Sequence, residues 1–177
     1  MAGPTSVSGP THPDALNSAS NYARDLRETG LLSEALEVLQ ETVQAFRDTT
    51  GKRHPAPLRA ARNLSAVVRR LGRYAEARAL SADIHDASMS VLGPDHPETL
   101  TSTMNHATDV VADGDLTEAV RLEREVHDEF VRVLGADHYD AIGCSSNLAL
   151  DLREAGAEDE AGALHQDALP LCQRVPR

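Results

Sequence analysis

The chain has 177 residues, of which 28 are acidic and 17 basic, for a formal net charge of −11. That length is expected to form one domain and to bury about two-thirds of its unfolded surface, so stability needs neither disulfide nor metal. One sign of charge at this level disfavours nucleic-acid phosphate and anionic membrane as partners and leaves basic or neutral ones. Aromatic residues at 3% with no Trp argue against a β-sandwich or barrel and for an all-α fold.

The chain opens on MAGPTSVSGP, which lacks the basic start and apolar stretch of a signal peptide, and no run of about eighteen apolar residues follows anywhere. Residues 1–8 are expected to be a disordered tail. From Gly9 onward the sequence repeats: GPTHPDAL (9–16), GKRHPAPL (51–58), GPDHPETL (93–100) and GADHYDAI (135–142) start 42 residues apart (51 − 9, 93 − 51, 135 − 93). The offset holds through whole columns: Asn21, Asn63, Asn105 and Asn147; Gly30, Gly72, Gly114 and Gly156; Glu34, Glu76, Glu118 and Glu160; Ala35, Ala77, Ala119 and Ala161. Four ungapped copies define a repeat domain over 9–177, with units 9–50, 51–92, 93–134 and 135–177, enough for a stacked array.

Punctuation within a unit predicts two helices. In the third copy, Pro97 and Glu98 suit a first helical turn, so helix A begins near Pro97. Gly114 stops it, Thr117-Glu118-Ala119 opens helix B, and Gly135 ends that helix after Leu134. On helix A, Leu100, Thr103, Ala107 and Val110 fall in an arc of about 80°, the stripe expected of a packed face. Helix B carries Leu116, Ala119, Leu122, Val126, Phe130 and Val133 on its own stripe, and the small Ala column marks where the two helices approach most closely. In the fourth unit, Pro170 is expected to kink or fray helix B near its end.

Asn105 lies away from the core stripe, in an arc of about 60° with Thr101, Thr108 and Ala112. Asparagine is a mediocre helix former, so mid-helix Asn in all four units needs a reason. Two stand open: each amide bonds within the array, or the amides line a groove and bond the backbone of a ligand.

The unit G-x-x-H-P-x-x-L, followed by Asn-Leu-Ala as in Asn147-Leu148-Ala149 and G-x-[YL]-x-E-A as in Gly72–Ala77, resembles the kinesin-light-chain class of tetratricopeptide repeat. The resemblance covers Gly9 to about Val175. It implies a right-handed superhelix of helix pairs whose A helices line a concave groove for an extended peptide or partner segment. It also assigns peptide contact to Asn21, Asn63, Asn105 and Asn147. Departures at Asn21-Tyr22-Ala23, Asn63-Leu64-Ser65 and Asn105-His106-Ala107, and Glu158 in place of Leu32, Tyr74 and Leu116, leave the ligand's identity unread. The rest of the groove surface is mixed: Asn17, Arg24 and Glu28; Arg59, Ala66 and Arg70; Thr101, Thr108 and Ala112; Gly143, Leu150 and Glu154. Thr101 and Thr108 thus join the expected peptide-binding set, and Arg59 with Arg70 is expected to form a basic spot that meets a ligand carboxylate.

Chemistry-bearing residues point elsewhere than to catalysis. His12, His54, His96 and His138 recur once per unit, separated by two helix layers of about 8–10 Å each, so they cannot share a metal and are expected to order the turn before helix A. His85 and His127 share a helix B column, His106 and His165 are single, and none forms an HExxH-type pair. Cys144 sits in a column of small residues, Ser18, Ala60 and Ser102, and reads as a small buried hydrophobe. There is no nucleophile elbow, no phosphate-cradling glycine loop and no clustered carboxylate pair, the acids being spread over solvent faces of helices. No cofactor, metal or enzymatic activity is expected.

Both ends look uncapped: Val7-Ser8-Gly9 copies the register of Val91-Leu92-Gly93, and the chain stops at Val175-Pro176-Arg177 where the last helix B ends. The expectation is therefore a protein- or peptide-binding module, cytoplasmic and, from its Arg- and Ala-rich composition with Lys52 as sole lysine, bacterial, such as a segment of a larger regulatory protein. The alternative is a structural assembly protein that self-associates through its repeat ends.

Overall fold

The computed structural model describes residues 9, 11–51 and 54–172. The expected tail over 1–8 and the chain end at 175–177 lie outside them. Among the described residues there are eight α-helices and no strand: α1 (Pro13–Glu28), α2 (Leu32–Thr50), α3 (Pro55–Arg70), α4 (Tyr74–Leu92), α5 (Pro97–Ala112), α6 (Leu116–Leu134), α7 (Tyr139–Glu154) and α8 (Glu158–Cys172). The predicted start at Pro97 and end at Leu134 are both met.

The repeated punctuation explains these bounds. His12, His54, His96 and His138 are the N-caps of the odd-numbered helices, each accepting at Nδ1 the backbone N–H two residues on, at 3.3, 3.2, 3.1 and 3.3 Å. This is the turn-ordering role expected of them, and it fills one of the four orphan donors at each helix start. At the other end of α5, Gly114 takes φ 97° and donates to the Val111 carbonyl while Asp115 donates to that of Val110, a Schellman closure that needs a left-handed residue. The same paired bonds recur after α1, α3 and α7. Asp115 then caps α6 by accepting from the Glu118 N–H at 3.2 Å.

The chain divides into two compact units, through Leu80 and from Ser81, with the boundary inside α4. In the first, α2 packs against both α1 and α3, and α1 also touches α3. Ala23, Leu26, Ala35, Leu39 and Val67 form its core. Leu39 is fully buried, worth about 1.5–3 kcal/mol of apolar transfer. The side chain of Arg70 reaches back to donate to the Arg27 carbonyl at the end of α1, at 2.8 Å.

In the second unit, α5, α6, α7 and α8 pack in succession, and α5 also touches α7. Leu100, Val126, Phe130, Ala141 and Cys144 make one core cluster, Ala107, Val110, Ala119 and Leu122 a second, and Leu148, Ala149, Leu152 and Ala161 a third. Leu100, Ala107 and Val110 are buried as the helix A stripe requires, with Thr103 half-buried at its edge. All four alanines of the 35, 77, 119 and 161 column are fully buried.

Candidate functional site

The asparagines were expected either to bond within the array or to face a ligand. Only Asn105 among them holds a side-chain hydrogen bond within the described residues, and it goes to its own helix: Nδ2 donates to the Thr101 carbonyl at 2.8 Å. Asn21 is exposed, and Asn63 and Asn147 are half-buried. An amide at any of these three keeps two donors and an acceptor uncommitted.

In the first unit, Asn17 and Asn21 of α1 and Arg59, Arg62 and Asn63 of α3 surround a concavity of about 330 Å³ with Phe46 of α2 and Ala56 and Ala60 at its apolar side. The Oγ of Ser20, buried in the same wall, has no hydrogen-bond partner. The rim therefore offers amide groups and guanidinium charge to whatever enters. Arg59 lines this concavity, and Arg70, expected to form a basic spot with it, does not. It lies three turns further along α3, with Nη1 on the Arg27 carbonyl and 4.0 Å from Glu28. The positive charge at this concavity comes from Arg59 and Arg62 instead.

In the second unit, Thr108 and Val111 of α5, Glu123 of α6, and Asn147, Leu150 and Asp151 of α7 line a smaller pocket of about 120 Å³. Thr108 donates its hydroxyl hydrogen to the Met104 carbonyl at 3.0 Å, leaving its oxygen as an acceptor. Thr101, also expected in the set, is half-buried at the start of α5 and donates to the Pro97 carbonyl. Glu123 is 1% exposed and its Oε2 has no hydrogen-bond partner. Burial is the main cause that pushes its carboxyl up to about 8, and the adjacent Asp151 adds to it. Asp151 is raised as well, chiefly by burial. With Glu123 raised to about 8 and hydrogen-bonded to Asp151, the pair holds a proton at neutral pH. This corrects the reading that the acids all lie on solvent faces with no paired carboxylates.

The remaining candidates are structural. Cys144 is fully buried, its Sγ is 3.7 Å from the Glu123 carbonyl, and burial lifts its thiol to about 12, so it carries no thiolate. His85 and His106 stack at 6.2 Å and interact through Nδ1 with Thr103 and Ser81. Among the described residues no group of three or more His, Cys, Asp or Glu could hold a metal, and no helix is long and apolar enough to cross a membrane.

Family models for the tetratricopeptide repeat match residues 14–84 and 57–128, and a further one matches 142–175. The chain belongs to the tetratricopeptide repeat family. Among solved structures it is similar to a Podosopora anserina kinesin light chain protein with nearly identical TPR-like repeats, at 26% identity and a TM-score of 0.72 over 93% of this chain and 80% of that one. It shares its fold with BtubC from P. vanneervenii, at 16% identity and a TM-score of 0.81 over 93% of this chain and 65% of that one. It does so also with MamA RS-1, at 12% identity and a TM-score of 0.60 over 92% and 76%. No curated protein matches the sequence significantly.

Tetratricopeptide repeats mediate protein–protein interaction or assembly and are as a class non-enzymatic scaffolds. Within these repeats the sequence reading missed Arg62, Ser20, Glu123 and Asp151. For Glu123 a signal exists: it stands among Ala119, Val126 and Phe130 on the apolar stripe of α6, in a column whose counterparts Leu39 and Ser81 are buried. An acid inside such a stripe is either paired or poised.

Proposed function

We propose that the chain is a protein-interaction module that takes an extended segment of a partner against the first helices of its repeats, with no catalytic step of its own. The observation that carries this reading is the concavity of the first unit, where Asn21 and Asn63 present uncommitted amides beside Arg59. Amide side chains can bond a peptide backbone in both directions, donor to carbonyl and acceptor to N–H, whatever its sequence. Arg59, exposed and aided by the charge of Arg62, suits a carboxylate of the segment because a guanidinium fork matches that group. Asn147 in the second unit offers the same amide beside the carboxyl pair. A free, buried Cys144 suits a reducing, cytoplasmic setting.

The test is a screen of displayed peptides against the whole chain, followed by Asn21→Ala with Asn63→Ala, and separately Arg59→Ala. Each is expected to weaken the selected peptides by about tenfold or more while helical content and melting temperature hold. Loss of stability in step with loss of binding makes the amides structural and refutes the reading, as does a library that yields no binder. Mass by light scattering over a wide concentration range tests the assembly alternative, since growth of mass would place the interaction between copies of the chain.

A further inference from the structure

We propose that the pocket between α5, α6 and α7 receives the ammonium group of a lysine side chain from the bound partner, with Glu123 and Asp151 as counter-ions and Asn147 and Thr108 as neutral acceptors. The inference rests on the first-helix binding reading and names one side chain that the partner must supply. Its basis is a buried carboxyl pair in which Glu123 is hydrogen-bonded to Asp151 while its Oε2 receives no donor, lining a pocket with no protein cation acting on the pair. Such a group costs free energy unless something fills its lone pairs.

The charged groups that act on the pair are acidic: Asp151 on Glu123, and Glu123 and Glu154 on Asp151. In the unliganded chain a retained proton leaves the pair with a single negative charge. A cation entering the pocket replaces that proton and gains two charge-assisted hydrogen bonds. The third ammonium hydrogen meets Asn147 or the Thr108 oxygen, whose own hydrogen is committed to Met104. A volume of about 120 Å³ equals roughly four waters, room for an ammonium and its last methylenes. Val111 and Leu150 form apolar walls for those methylenes, as amphipathic lysine stems prefer. A neutral or acidic side chain would leave Oε2 of Glu123 without a charged donor, and the net charge of −11 favours basic partners at longer range.

The probe is Nα-acetyl-lysine-N-methylamide, titrated into the whole chain beside its norleucine counterpart, with the backbone amide signals of Thr108, Asn147 and Leu150 followed by NMR. Saturable shifts are expected with the lysine compound only, weakened about tenfold or more in Glu123→Gln and in Asp151→Asn. Both variants are isosteric and remove a buried acid, so their melting temperatures are measured as a control on folding. Equal shifts with the norleucine compound, lysine shifts that survive both variants, or the same shifts from potassium chloride alone would each overturn the proposal. In the peptide screen, binders that lack any basic enrichment and ignore Glu123→Gln would overturn it while leaving the groove reading standing. A screen without binders would sink the groove reading, and the lysine titration would still decide the pocket.

Discussion

Replacing Glu123 by glutamine should change how stability responds to pH, and the direction follows from the buried pair. An unfolded glutamate titrates near 4.5, whereas this one titrates at about 8 in the folded chain. Below the lower value both states are protonated and the burial of the group adds no titration cost. Between the two values unfolding releases a proton, so the stability present at acid pH is lost as pH rises, by up to about 1.4 kcal/mol per unit. Over the whole interval the loss has a ceiling of about 5 kcal/mol. Glutamine cannot ionise and removes this dependence. The difference in unfolding free energy, variant minus wild type, should be near zero around pH 4.5 and grow to a few kcal/mol in favour of the variant by about pH 8. Urea unfolding at a series of pH values reads it directly, and taking the difference cancels the exposed carboxylates such as Glu28 and Glu160, which their arginine partners hold low. A difference that stays flat across that range would show that Glu123 is not buried as a neutral acid and would refute the reasoning.

Further outcomes follow from the repeat frame. His96→Ala should cost about 1 kcal/mol in denaturant unfolding by removing the α5 cap, while His96→Asp, which can accept the same N–H, should restore most of it. Gly114→Ala, forced to hold φ 97°, should cost on the order of 1 kcal/mol and lower the melting temperature, whereas the same change at Gly143, which sits at no such angle, should not. Ala119→Leu should cost roughly 1–3 kcal/mol by pushing α5 and α6 apart, read as a drop in denaturation midpoint. In a Cys172→Ser background, Cys144 should resist alkylation at about pH 8 until the chain unfolds, because its thiol is both buried and raised to about 12.

The frame was legible because its signals are local. Pro97 at a first turn, Gly114 and Gly135 at stops, and histidine before each first helix act through neighbouring backbone, so reading them in order placed helix ends to within a residue. The repeat columns put Asn21, Asn63 and Arg59 at matching or neighbouring positions of their first helices, and all three border the first-unit concavity. What escaped depends on which helix meets which. Arg59 and Arg70 share a face of α3, yet the end of α1 lies within reach of one and not the other, so Arg70 is spent on the Arg27 carbonyl. Arg62 reaches the concavity from a column filled elsewhere by Ser20, Met104 and Ser146, which carries no repeated chemistry. Glu123 and Asp151 each pass for a solvated helix acid, and only the packing of α6 against α7 makes them neighbours.

The turns are as uniform as the helices: three residues join α1 to α2, α3 to α4, α5 to α6 and α7 to α8, and four join each pair to the next. One residue inserted within a first helix would rotate everything beyond it by about 100°, carrying its asparagine off the face where it now stands. A change of length that keeps this register is a whole 42-residue cassette, from one Gly9-type glycine to the next. Within that register side chains are exchanged in place, as the Leu39, Ser81, Glu123 and His165 column illustrates.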